Sequence, residues 1–268
     1  MASDKLQSSV VDKTSQNDEQ QVKVNEVREM IGSTANELPT LFSDASILRY
    51  LRARKWNTKK ACQMLRETAK WRMEYKPEQI CWDEIAHEAE TGKTYRSNYP
   101  DKYGRTVLVM RPGLQNTYST SGQMKFLVYC MENAIMNLPP SEEQMVWIID
   151  FQGWNMSSVS IKTTRETARI LQDHYPERLG QAILYNPPKI FESFWMLVKP
   201  FFEARTSSKI KFVYSNDPES QKFMGDLFDM EKLESALGGQ NPKAFDCKEY
   251  GETMREDDKK IHSISSVQ

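Results

Sequence analysis

The chain has 268 residues, of which 39% are hydrophobic, enough for one large domain or two small ones. Its formal net charge of −1 offers no global basic field for nucleic acid, so any anionic ligand must be met by a few local cations. Cys62, Cys81, Cys130 and Cys247 are scattered without a CxxC pair or a nearby histidine cluster, which argues against a zinc site and against a disulfide framework.

Residues 1–20 are polar, with few large apolar groups and no signal-peptide core, and read as a disordered tail. Val22 to Ile31 forms a modest amphipathic helix. Ser43 or Asp44 caps a second helix carrying Ile47, Leu48 and Leu51 and ending in Arg52, Arg54 and Lys55. Two accounts of that cationic cluster stand side by side: complementation of the helix C-terminal dipole, or a clamp on phosphate oxygens. Asn57 or Thr58 opens a third helix with Cys62, Met64, Leu65, Ala69 and Trp71, which should stop before Pro77.

From about Thr94 apolar runs alternate with helical segments. Strands are expected at Thr106–Met110, Met145–Ile149, Ala182–Tyr185 and Ile210–Tyr214. Helices are expected at Gln123–Met136, Ile161–Tyr175, Pro218–Phe228 and Glu231–Leu237, and residues 251–268 read as a polar tail. Continuous apolar strands separated by helices indicate a mostly parallel sheet covered by helices. The fold class is therefore α/β, with a helical N-terminal subdomain over 21–90 and an α/β domain over 91–250. No run of about 18 apolar residues offers a membrane-spanning helix.

The most informative segment runs from Tyr175 to Lys209. Phe191, Phe194, Trp195 and Val198 share one helical face, yet Ile190, Met196 and Leu197 cover the other side. A helix apolar all round is deeply buried or touches lipid. The carboxylate of Glu177 precedes it, and Thr206 and Lys209 come after it. A greasy helix bracketed by a carboxylate, a hydroxyl and a cation suits a ligand with an apolar end and a charged end. Each polar residue also has a plain alternative, as a solvated helix terminus or strand start. Searches for GxSxG, HExxH, GxGxxG and GxxxxGK[ST] find nothing, and no catalytic residue is assigned. Asp150 ends a strand, where a turn role is the simpler account.

Four motifs in order extend the reading: DASILRYLRARKWNTKKA at 44–61, WIIDFQG at 147–153, YPERLG at 175–180 and YNPPKIFESFWMLVKPFFEARTSSKI at 185–210, closed by Gly238-Gly239. Together these resemble the CRAL-TRIO family, in its yeast-type (Sec-fourteen-like) phosphatidylinositol transfer branch, over roughly 200 residues. The resemblance implies a lipid-binding domain whose sheet floors a hydrophobic pocket for one phospholipid. An apolar gating helix, with Phe191, Phe194, Trp195, Leu197, Val198, Phe201 and Phe202, would close it. It implies a phosphatidylinositol headgroup set of Arg54, Lys55, Glu177, Thr206 and Lys209. The positions that supply hydroxyls to phosphatidylcholine in dual-ligand members are here Met145 and Trp147, which cannot. Phosphatidylcholine binding is therefore expected to be weak, lost or replaced by a second lipid.

The resemblance also implies a non-enzymatic cytoplasmic monomer that touches membranes peripherally and transiently. It would present its lipid to lipid kinases, bind no nucleic acid, and need neither metal nor cofactor beyond the lipid itself. Two alternatives keep the fold and change its use: a carrier of a sterol or tocopherol-like ligand, and a lipid-sensing scaffold module.

Overall fold

The computed structural model describes residues 2–158 and 160–265 and divides the chain into two compact units, Met1–Lys76 and Pro77–Gln268. The first is helical: α1 (Ala2–Ile31), α2 (Asp44–Ala53) and α3 (Thr58–Tyr75). Ser43 and Asn57 cap α2 and α3 as their types predict, accepting from the Ser46 and Lys60 amides. The core gathers Val24, Val27 and Ile31 of α1 with Ile47, Leu51, Ala61 and Leu65. The disordered tail expected over 1–20 is a correction, since α1 runs through it from Ala2. Once the turns at Val24 to Ile31 are packed, adding a residue to the helix costs far less than nucleating one. Met1 lies outside the described residues, as do residues 266–268 of the expected C-terminal tail.

The second unit comprises α4 (Trp82–Ala89), β1 (Thr94–Arg96), β2 (Thr106–Met110), α5 (Thr120–Met136), β3 (Met145–Asp150), α6 (Ile161–His174), β4 (Leu179–Tyr185), α7 (Ile190–Val198), α8 (Ala204–Ser207), β5 (Ile210–Val213), α9 (Pro218–Leu227) and α10 (Cys247–Ser265). Among the described residues five strands form one sheet in the order β1-β2-β3-β4-β5. β1 is antiparallel to β2 and the rest are parallel. Helices inserted between consecutive strands give the crossovers that parallel pairing needs.

Strand alternation assigns the two faces. Val107, Val109, Val146, Ile148, Ile183 and Val213 point to one face and pack with Met224, Leu227 and Phe228 of the α9 region. Ile149, Leu184, Ile210 and Phe212 point to the other, beneath α7.

Several expectations need correction. The division falls at Lys76/Pro77 rather than near residue 90, because α4 packs with α5 and α10 inside the second unit. Glu231–Leu237 is not an α-helix. Only Ser235–Leu237 forms a 3-10 turn, ended by Gly238 at φ +86° and by a bridge between Glu234 and Asn241. The polar tail expected from residue 251 is most of α10, in which Met254, Asp257 and Asp258 are buried. β1 and α4 had no sequence signal strong enough to name them.

Candidate functional site

The segment from Tyr175 to Lys209 brings three of the expected headgroup residues together. α6 ends at His174, and the next residue, Tyr175, caps it and donates from its hydroxyl to Glu132 Oε1 (2.6 Å). After Pro176, Glu177 takes a left-handed backbone, φ +60°, a conformation that costs a non-glycine residue about 1 kcal/mol or more. The bend aims its carboxylate at two cations. Arg205 Nε lies 3.0 Å from Oε1, and Lys209 Nζ lies 3.6 Å from Oε2. Lys209 also donates to the Leu179 carbonyl at 2.6 Å. Thr206 sits between these cations in the turn that α8 makes, and its carbonyl accepts from the Lys209 amide at 3.0 Å. Burial pulls the Lys209 ammonium below its usual range, while Glu177 pushes the other way.

Arg54 and Lys55 belong to the first unit. The Arg54 amide caps α2 by donating to the Tyr50 carbonyl (3.0 Å). Lys55 and Trp56 come next in left-handed conformations, φ +51° and +63°, which end the helix. Both cations therefore stand at a helix C-terminus, where the dipole favours them. Of the five expected headgroup residues, Glu177, Thr206 and Lys209 form one cluster of the second unit. Arg54 and Lys55 occupy the first.

Above the sheet lies a cavity of about 290 Å³, close to the lower end of the range of roughly 300–1,000 Å³ usual for ligand sites. Phe191, Phe194, Trp195 and Val198 of α7 form its cover with Phe202, and Met110, Ile149 and Leu184 its floor. Phe201 packs beside them, its ring beneath the Arg165 guanidinium (4.8 Å). Leu197 instead faces outward, 56% exposed, with Ile190 at 58% and Met196 at 70%. α7 therefore has a buried aromatic side and an exposed aliphatic side, the latter unusual for a surface helix.

Met145 and Trp147 share the floor's face of β3 with Ile149, as the strand period requires. Neither lines the cavity. They fill the sheet surface toward the strand N-termini, and the Trp147 indole nitrogen is buried without a hydrogen-bond acceptor.

Residues 89–239 match the family described as CRAL/TRIO domain, and residues 4–67 match the CRAL/TRIO, N-terminal domain. The chain belongs to the CRAL/TRIO domain family. One member is the CRAL-TRIO domain-containing protein C23B6.04c of Schizosaccharomyces pombe. It is 37% identical over 194 residues, which are 72% of this chain and 18% of that protein. Another is the phosphatidylinositol transfer protein PDR17 of Saccharomyces cerevisiae, 33% identical over 200 residues, 68% of this chain and 57% of that one. The matched part of this chain thus spans less than two thirds of the length of either. The crystal structure of Sfh5 shares the CRAL/TRIO fold, with a TM-score of 0.70 at 16% identity, covering 93% of this chain and 98% of that one.

Sequence reading missed two features of this CRAL/TRIO site. Arg205 holds Glu177 more closely than Lys209 does; its spacing of four from Lys209 is the signal that could have found it. In the cavity wall Lys93, only 6% exposed, is paired with Glu88 and hydrogen-bonded to Gln115 and Thr117. Those four residues are spread over 88–117, and no local spacing announces them. Among the described residues no group of three or more His, Cys, Asp or Glu side chains is placed to hold a metal ion, and no helix is long and apolar enough to cross a membrane.

Proposed function

We propose that this chain is a non-enzymatic lipid carrier that takes one phosphatidylinositol from a bilayer, holds it in the α7-covered cavity and delivers it to a second membrane or to a lipid kinase. The observation that carries the reading is an apolar cavity covered by an aromatic helix, with the Glu177–Arg205–Lys209 cluster at the strand N-termini of the same sheet. Glu177 accepts hydrogen bonds from inositol hydroxyls, and Lys209 and Arg205 neutralise the phosphodiester. Relatives that bear the name phosphatidylinositol transfer protein support the cargo.

Each acyl methylene moved from water into the cavity contributes about 0.8 kcal/mol, so release needs a door that opens directly into hydrocarbon. The exposed Ile190, Met196 and Leu197 suit α7 to that task, exchanging protein contacts for lipid contacts during brief peripheral docking. Met145 and Trp147 offer a choline phosphate no hydroxyl, which makes phosphatidylcholine a poor cargo.

A vesicle-to-vesicle assay with labelled lipids tests this. Lys209→Ala should lower phosphatidylinositol transfer at least tenfold while the circular dichroism spectrum is unchanged. Wild-type protein should move phosphatidylcholine far more slowly than phosphatidylinositol. Unimpaired transfer by the variant would remove the headgroup assignment, and equal rates for the two lipids would remove the selectivity.

A further inference from the structure

β5 is one edge of the sheet, and its pairing with β4 decides which of its backbone groups are left over. The Ala182 amide donates to the Lys209 carbonyl (2.9 Å), and the Asn186 amide donates to the Val213 carbonyl (2.8 Å). In a parallel ladder alternate residues bond to the same neighbour, so Lys211 and Val213 also turn their backbone groups toward β4. Ile210 and Phe212 turn theirs away. Among the described residues neither the amides nor the carbonyls of these two have a protein partner, which leaves two donors and two acceptors in a row.

The side chains of β5 alternate in the same way. Ile210 and Phe212, both half-buried, lie on the α7 side, where they line a groove of about 600 Å³ with Trp195, Phe202 and Lys199. No carboxylate lines that groove. Lys211, which is exposed, stands on the opposite face, its ammonium 5.7 Å from the centre of the Phe223 ring. Its charge reaches Asp217, but that carboxylate is committed to capping α9, where it accepts from the Ser220 amide (2.9 Å). The edge thus offers unpaired backbone groups, an apolar groove on one face and a cation on each face.

We propose that the β5 edge and its groove are a docking site for an extended segment of a partner protein, apolar and acidic at alternate positions, which joins the sheet as a further strand. Run antiparallel, the segment sets two residues opposite Ile210 and Phe212, and these take up all the free backbone hydrogen bonds. Directly opposed side chains share a face, so both residues enter the groove and are apolar. The residue between them stands opposite Lys211 and is acidic. Lys211 also decides against a second copy of this chain. Two β5 strands exchanging the same backbone groups would set Lys211 opposite its own copy, and like charges directly opposed destabilise a ladder. A carboxylate at that place reverses the sign.

Fluorescence anisotropy of short labelled peptides with the full chain tests the site. A peptide of alternating valine and glutamate should bind at least tenfold more tightly than one of alternating valine and lysine. Methylating the valine amides, whose N–H groups face the edge, should weaken binding at least tenfold. Lys211→Glu, at an exposed position, should reverse the charge preference. With the valine–glutamate peptide saturating, hydrogen exchange at the Ile210 and Phe212 amides should slow at least tenfold, while the Lys211 amide, already turned to β4, keeps its rate. Absent or equal binding of the two peptides, a charge preference that survives Lys211→Glu, full binding of the methylated peptide, or unslowed exchange at Ile210 and Phe212 overturns the proposal. Slow exchange at those amides without peptide, in a chain that sediments as a dimer, puts a second copy in place of the partner and overturns it too. None of these readouts involves lipid, so the cargo reading stands or falls separately.

Discussion

Asp150 shows how far one side chain's setting departs from its sequence signal. Ending β3, it reads as a turn residue, and its Oδ1 does accept from the Gln152 amide at 3.0 Å. Yet it is only 2% exposed, and Oδ2 stands 3.5 Å from Arg111 Nε with neither atom hydrogen-bonded. Burial raises its pKa above the ordinary 3.8, although the Gln152 amide and Arg111 oppose the shift. Between 3.8 and the raised value the folded state binds more proton than the unfolded state, so stability falls as pH rises through that window. Asp150→Asn keeps the acceptor for Gln152 and removes the titration. In urea unfolding, the variant should gain on the wild type as pH rises from about 3.8 toward neutrality; a difference that does not change with pH would refute the burial effect. Glu177, Thr206 and Lys209 were legible because they sit in two neighbouring motifs, at 175–180 and 185–210. Lys93 and Gln115 were not, because their partners come from chain segments that only the fold brings together, whereas Arg205 stood in the same motif as Lys209 and was passed over.

For α7, the sequence announced an all-round apolar helix but not what holds it. The answer lies on α6. Gln172 donates from Nε2 to the Phe201 carbonyl (2.8 Å) and accepts from the Glu203 amide at Oε1 (2.6 Å). This one amide side chain ties the 3-10 turn Lys199–Phe201, which comes directly after α7, to a fixed helix. Arg165, two turns earlier on α6, adds its guanidinium over Phe201. Gln172→Ala should free that turn at a cost of about 1–3 kcal/mol. Hydrogen exchange at the Glu203 amide should quicken, and lipid exchange between vesicles should quicken with it. An unchanged rate at Glu203 would show that the turn is held by other means. The central strands β2, β3 and β4 were readable because a parallel strand covered on both faces is largely an apolar run, and edge strand β5 kept enough of one despite its exposed Lys211. β1, three residues with Arg96 at its end, carries no such run.

The two units and both termini were the least legible. A boundary near residue 90 matched a change in texture, whereas packing places α4 with α5 and α10. α10 reads as a polar tail because its anchors are carboxylates. Asp258 accepts from the Trp82 amide (2.7 Å) and from the Tyr129 hydroxyl (2.9 Å). Asp257 accepts from Arg96 (2.7 Å), Asn133 (3.0 Å) and Asn137 (3.1 Å). Buried hydrogen-bonded charges of this kind cost several kcal/mol when their partners are removed. A chain ending at Asp246 should therefore lose the near-ultraviolet dichroism of its buried aromatics and become protease-sensitive within the second unit. A truncated chain with wild-type dichroism would mean that α10 is an accessory.

The Asp258 contact also fixes an order of events during synthesis. Trp82 is the first residue of α4, and its amide is one of the orphan donors that every helix N-terminus presents. Its acceptor is translated 176 residues later. At about 5–20 residues per second, a ribosome takes roughly ten to thirty-five seconds to reach it. Met1–Lys76 has emerged whole by then, whereas the second unit waits with the first amide of its opening helix unpaired, although Cys81 and Glu84 already form a local capping box there. Until α10 is made, the Trp82 amide, the Tyr129 hydroxyl, Arg96 and Asn133 of the nascent second unit stand without the two carboxylates that accept from them.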